Sequence, residues 1–324
     1  MQTPVKIGAF ALGLAAVFGA ALAVGNAIGP APVAATTAHA ERPGQLEGMS
    51  ESVSGAMVSQ IPGGLMTAQD GYILQLMERS LPAGQQTPMD FVILGPDGDP
   101  VSDFQVAHDK ELHLIVVRRD LTGFQHVHPT RAADGTWSVP LDLSTAGDYR
   151  VFADFVPAGH DGITLGADLS VAGSFAPQPL SAVSRTTEVD GYTVTLDGDL
   201  VAGQSSKLTL SVSKDGAPVT DLQPYLAAYG HLVALRDGDL AYLHVHPAGE
   251  PGDGVTPAGP GITFYAAIPS AGNYGLFLDF QHDGVVHTAA FTAHADQAPA
   301  AATTDPGPSA EEPAPATADD GHGH

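Results

Sequence analysis

The chain has 324 residues, room for about two ordinary domains, and its 12 basic against 36 acidic residues give a formal charge of −24. Charged residues make up only 15% of it, so the acidity reflects scarce bases, and such a surface repels phosphate backbones, which excludes nucleic acid and anionic lipid headgroups as partners. Cysteine is absent, excluding disulfides, thiolate metal sites and cysteine nucleophiles; any metal is left to imidazole, carboxylate, thioether or backbone oxygen, and the 14 histidines outnumber Lys plus Arg.

Residues 1–29 read as a membrane anchor or signal segment. Ile7 to Gly25 is a run of 19 residues without a charge, close to the span of a bilayer-crossing helix, and Lys6 precedes it. Both readings export the rest of the chain. An uncleaved single-pass anchor fits the length of the run better than a signal peptide, with Ala38-His39-Ala40 as a distant cleavage candidate; the secreted form is the alternative. Residues 30–64, rich in Ala, Gly, Pro and Ser, read as a flexible stalk.

The next 230 or so residues repeat themselves. Asp70-Gly71-Tyr72 returns as Asp190-Gly191-Tyr192, and His126-Val127-His128-Pro129 returns as His244-Val245-His246-Pro247. Ala146-Gly147 with Tyr149 returns as Ala271-Gly272 with Tyr274, and His160-Asp161-Gly162 as His282-Asp283-Gly284. The offset stays near 120 residues, too long for a solenoid unit, so residues 65–173 and 187–294 are copies of one domain joined by a linker at 174–186. Short apolar runs such as Leu112 to Val117 and Leu208 to Val212, separated by Asp-Gly and Ala-Gly turns, predict strands. The fold expected is all-β: two tandem immunoglobulin-like β-sandwich domains, with the stalk and the acidic tail at 295–324 disordered.

The histidines recur with fixed spacing. His113 and His126 are 13 apart, as are His231 and His244. In the second copy Asp237-Gly238 predicts a two-residue hairpin turn that sets His231 opposite His244, with His246 on the same face. The same arithmetic groups His113, His126 and His128, with a weaker turn at Arg119-Asp120 that admits a longer loop. Three imidazoles on a stiff platform suit Cu(II) or Zn(II) and leave a position open. His160 and His282 are candidates for a fourth ligand, and Asp154 or Asp279 for an acceptor fixing a histidine tautomer. Binding would then weaken as pH falls through about 6.5. His108 and His287, which the other copy lacks, read as surface residues. No nucleophile elbow, phosphate loop or dinucleotide fingerprint is present, so no enzyme activity is expected.

The stretch from Leu112 to Pro129, followed by Tyr149 to Phe155, resembles bacterial exported proteins described as heavy-metal-binding and related to YtkA-like and CopC-like domains. That resemblance implies immunoglobulin-like sandwiches outside the cytoplasmic membrane and a part in copper handling. CopC-like proteins use an N-terminal histidine that has no counterpart here. The expectation is an anchored extracytoplasmic protein that buffers, senses or delivers copper or zinc, with a membrane metal transporter as its partner. The alternative is a non-catalytic cell-surface interaction module whose histidines are structural.

Overall fold

A computed structural model describes residues 61–298 except His244. The expected N-terminal anchor or signal segment, most of the expected stalk and nearly all of the expected tail fall outside these residues. Among the described residues no helix is long and apolar enough to cross a membrane.

Each copy is a sandwich of two sheets, and the two copies have the same strand order. In the first copy one sheet runs Ala68–Gln69, Tyr72–Leu76, Thr87–Leu94, Trp137–Leu141, Thr130–Arg131. The facing sheet runs Ser80–Leu81, Ile163–Val171, Gly147–Pro157, Leu112–Arg118, Gln125–Val127. The second copy repeats this with Thr186–Val189, Tyr192–Asp197, Gln204–Lys214, Gly261–Ile268, Val245–Pro247, against Leu200–Val201, Val285–Asp296, Gly272–His282, His231–Arg236, Tyr242–Leu243. Period-2 burial marks the outer strands, where Tyr72, Leu74 and Leu76 point inward and their neighbours face solvent. The repeated Ala-Gly-x-Tyr has a clear job: Tyr149 donates its hydroxyl to Thr145 O at 2.7 Å, and Tyr274 to Ser270 O at 2.7 Å. This is the tyrosine corner of immunoglobulin-like sandwiches, and the chain forms two such domains in tandem.

Leu112–Arg118 breaks the period-2 pattern, with all seven residues buried. Leu114 and Val116 face their own sandwich core. Ile115 and Val117 face outward into a second apolar layer with Leu121 and Phe152, where they meet Val233, Leu235, Leu240 and Phe277 of the other copy. Phe124 stacks on Phe277 across this layer with ring centroids 4.1 Å apart. The copies therefore pack sheet against sheet, and each of these central strands is covered on both faces. His113 shares the parity of Ile115 and Val117, so its side chain belongs to the layer between the copies.

The second-copy hairpin is two residues longer than predicted, and the first-copy hairpin takes the longer loop that its weaker turn admitted. Leu235 pairs with Tyr242 and Ile115 with His126, whereas the tight turns would have paired Leu235 with Leu240 and His113 with His126. The extra residues put Leu121 and Leu240 in the left-handed region at φ 63° and 60°. Both side chains are buried in the layer between the copies. Burying a leucine is worth about 1.5–3 kcal/mol, enough to offset a left-handed backbone cost of order 1–3 kcal/mol. The slip is an even number of residues, so in the first copy it leaves His113 and His126 on one face, whereas in the second copy His246 pairs into the other sheet from His231.

The ordered domains extend past two of the expected segment boundaries. Gly63, assigned to the stalk, bridges to Tyr242 of the second copy, and Gly64 N–H donates to Thr164 O at 2.8 Å. Gly64 has φ 71°, and a Cβ there would strike the Phe152 ring. The linker is docked as well: Gln178 N–H donates to Asp120 at 2.8 Å and Ser184 N–H to Thr292 O at 3.0 Å. Ala295 and Asp296, assigned to the tail, complete the last strand by pairing with Leu200 and Val201.

Because one apolar layer joins the copies, the described region should unfold in urea as a single cooperative transition. Phe277→Ala should lower its stability by about 3 kcal/mol. Two separate transitions in the parent chain would contradict this packing.

Candidate metal centre

The site lies where strands change sheets. Gln125–Val127 pairs with Leu112–Arg118 in one sheet, while Thr130–Arg131 pairs with Trp137–Leu141 in the other. His128-Pro129 is the corner between them, and Pro129 removes the donor that would have continued the first pairing. His126 and His128 thus flank the corner on the face that carries His113.

Three ring nitrogens converge there. His113 Nδ1 lies 3.2 Å from His126 Nε2 and 3.2 Å from His128 Nε2. Ligand atoms of all three lie within 4.8 Å of one another. An ion with tetrahedral nitrogen bonds of about 2.0–2.1 Å separates its ligands by about 3.3 Å, so the spacing matches a common ion.

Their outward nitrogens are tied to the fold. His113 Nε2 lies 3.0 Å from Ala107 O, and a carbonyl only accepts, so Nε2 carries the hydrogen and Nδ1 a lone pair. His126 Nδ1 lies 2.8 Å from the Asp279 carboxylate, which fixes its hydrogen on Nδ1 and leaves Nε2 bare. Two lone pairs then face each other at 3.2 Å with no proton of their own between them, and His128 has at most one to share. A cation satisfies all three at once.

Asp279 comes from the second copy. It pairs across the sheet with His231, and its other oxygen accepts from Thr288 Oγ1 at 2.6 Å. The His126 and Asp279 side chains are 5% and 4% exposed, so the pair is sealed in the interface. Asp154, the equivalent residue of the first copy, pairs with His113 and accepts from Thr164 Oγ1 at 2.8 Å.

Burial pushes the His113 imidazole down to about 4, against the opposing pull of the Ala107 carbonyl. Burial, reinforced by His126 and His113, pushes His128 down to about 3. Burial takes His231 down to about 4, with the Tyr225 carbonyl opposing it. The rings are held as neutral ligands well below their usual range, so proton competition moves below the 6.5 expected from an ordinary imidazole.

The remaining candidates are distributed differently. His231 Nε2 lies 2.9 Å from Tyr225 O, repeating the tether of His113. His246 is exposed and pairs with Tyr265 through the other sheet, and His244 is outside the described residues. His113, His231 and His246 all line one cavity of about 300 Å³ between the copies. His160 and His282 stand apart from the converging group: His160 packs edge-on to Tyr72, and His282 Nδ1 lies 2.8 Å from Tyr192 Oη. His287 is no surface residue; it is 7% exposed and bonds Asp190 at 2.8 Å. Sequence reasoning anticipated an aspartate behind a histidine but placed no copy-to-copy contact there. The available signal was the nearly continuous apolar run from Leu112 to Val117, which has no solvent-facing alternation.

Fold and site together define a tandem immunoglobulin-like β-sandwich protein with a histidine cluster where its copies meet. The chain belongs to the DUF8832 family, a domain of unknown function, which matches it twice, over residues 67–172 and 187–297. Nothing in that match connects it to YtkA-like or CopC-like proteins. None of the curated proteins matches this chain. Among solved structures it is similar to the Escherichia coli adhesin FdeC, at 16% identity over 71% of this chain and 65% of that one, with a TM-score of 0.24. It is also similar to the Yersinia pseudotuberculosis adhesin InvE, at 14% identity over 69% and 58%, with a TM-score of 0.23. The integrin-binding protein invasin gives 14% identity over 72% and 41%, with a TM-score of 0.21. The chain spans less than two thirds of each of these, and overlaps this poor carry no weight for function.

Unfolded imidazoles take up protons near 6.5, while His113, His128 and His231 stay neutral in the fold down to about 4, 3 and 4. Between these values the unfolded chain binds more protons, so this contribution to stability is lost as pH drops below 6.5. In the presence of chelator the urea midpoint should fall between pH 7.5 and 5.0, and the fall should shrink in His128→Asn. An unchanged midpoint would mean that the rings are not held neutral.

Proposed function

We propose that this chain is a non-catalytic, extracytoplasmic metal-binding protein that holds Cu(II) or Zn(II) through His113, His126 and His128. The observation that carries the reading is the pair of inward lone pairs fixed by Ala107 O and Asp279, which no proton of the two rings satisfies. A carboxylate behind a ligating imidazole raises its basicity and orients it. Ligands beyond the three histidines come from solvent or cargo through the cavity between the copies, which suits exchange and delivery better than permanent structural binding. A charge of −24 concentrates cations around the molecule. The apolar run from Ile7 to Gly25 supports a location at the outer face of a membrane, where a membrane metal transporter would be the partner.

A second reading, a cell-surface interaction module with structural histidines, draws on the tandem sandwich architecture and on the contacts that each ring makes with its own fold. Titration separates the two. Zn(II) or Cu(II) added to the metal-free chain should bind tightly, and His126→Ala or His128→Ala should abolish the tightest binding. Asp279→Asn should weaken it about 10–100-fold. Proton competition for His113 and His128 is displaced downward to about 4 and 3, so these two ligands should not be what weakens binding as pH falls from 7.5 to 5.5. Binding that all three variants leave unchanged would favour the interaction module.

A further inference from the structure

Two imidazoles outside the triad meet from opposite copies at the same cavity. His108 belongs to the first copy and sits exposed in a left-handed turn at φ 50°. His231 belongs to the second copy. Their ring centroids are 5.4 Å apart at an interplanar angle of 79°. Two imidazoles that share a tetrahedral ion through bonds of about 2.0–2.1 Å hold their centroids about 5.2 Å apart. Within the triad the same separations are 5.4, 5.0 and 5.0 Å, so the His108–His231 pair is spaced as the triad is.

The chemistry of His231 matches as well. Its Nε2 is committed to Tyr225 O, so Nδ1 carries the lone pair, as in His113. His108 is supplied by the first copy alone, the second having Leu226 at that position. The His108 ring is also 6.1 Å from His113, and the His231 ring is 6.1 Å from His126. The pair therefore adjoins the triad on the cavity side, and His108 gives it access to solvent.

We infer that His108 and His231 form a second site for a divalent first-row cation, Zn(II) or Cu(II), at the mouth of the cavity between the copies. The remaining coordination positions are taken by water, which makes the site weaker and faster to exchange than the triad. An ion held there stands next to the triad on the cavity side, so the pair serves as the point of capture and release. This inference rests on the metal-binding reading of the triad for its role, but not for its existence.

The test is calorimetric titration of the full chain with Zn(II), with bound metal counted by elemental analysis. The parent should bind one ion more than His108→Ala, and that variant should keep the tightest site within about threefold of the parent. His231→Ala should lose the same ion, and the double variant should lose no more than either single one. His108 is exposed, so its variant tests the site without risk to the core. The inference is overturned if His108→Ala binds as many ions as the parent with the same affinities, or if the two losses add. A site made by His231 with His244 and His246 alone would respond to His231→Ala and not to His108→Ala. Failure of the triad reading shows elsewhere: His128→Ala would leave the tightest site intact.

Discussion

Asp279 reaches from one copy to the imidazole of His126 in the other, and the site's chemistry follows from that contact. A carboxylate buried at 4% side-chain exposure needs a partner, and His126 Nδ1–H is the partner it has across the interface. Satisfying the carboxylate places the ring's hydrogen on Nδ1, so the neutral ring points its Nε2 lone pair at His113. Removing one member of a buried pair typically costs about 3–5 kcal/mol, so the contact also fixes how the copies meet. The apolar layer of Ile115, Val117 and Phe152 against Val233, Leu235 and Phe277 supplies the area, and the histidine–aspartate pair supplies the register.

This arrangement makes use of duplication in a way that two independent domains would not. If each copy held its own site, either would work alone. Here three ligands come from the first copy and the residue that orients one of them comes from the second. The second copy's own His231, tethered to a backbone carbonyl as His113 is, points into the same cavity. The layer that joins the sandwiches is therefore also the wall of the centre, and loosening one loosens the other.

Much of this was legible in the sequence. The repeat, the strands, the sandwich and the grouping of His113 with His126 and His128 all follow from spacing and alternation. The hairpin register was not legible, because Asp237-Gly238 has the chemistry of a two-residue turn. The chain instead spends two more residues to bury Leu240, and Leu121 in the first copy. A turn is chosen by what its residues gain in the tertiary structure as well as by local preference. The slip left His113 and His126 on one face only because it was even. The copy-to-copy contact was hidden for a related reason: an apolar run such as Leu112 to Val117 says that both faces are covered, but not by what. His108 is exposed, as read from the sequence, but the sequence did not show that its ring meets His231 of the other copy.

The most direct measurement is anomalous X-ray diffraction from crystals of the Zn(II)-loaded chain, recorded on both sides of the zinc absorption edge. The account predicts a strong peak about 2.0–2.1 Å from His113 Nδ1, His126 Nε2 and His128 Nε2, with Asp279 still bonded to His126 Nδ1. A metal-loaded crystal with no peak among these three nitrogens, or with the ion on the Asp279 side of His126, would contradict it.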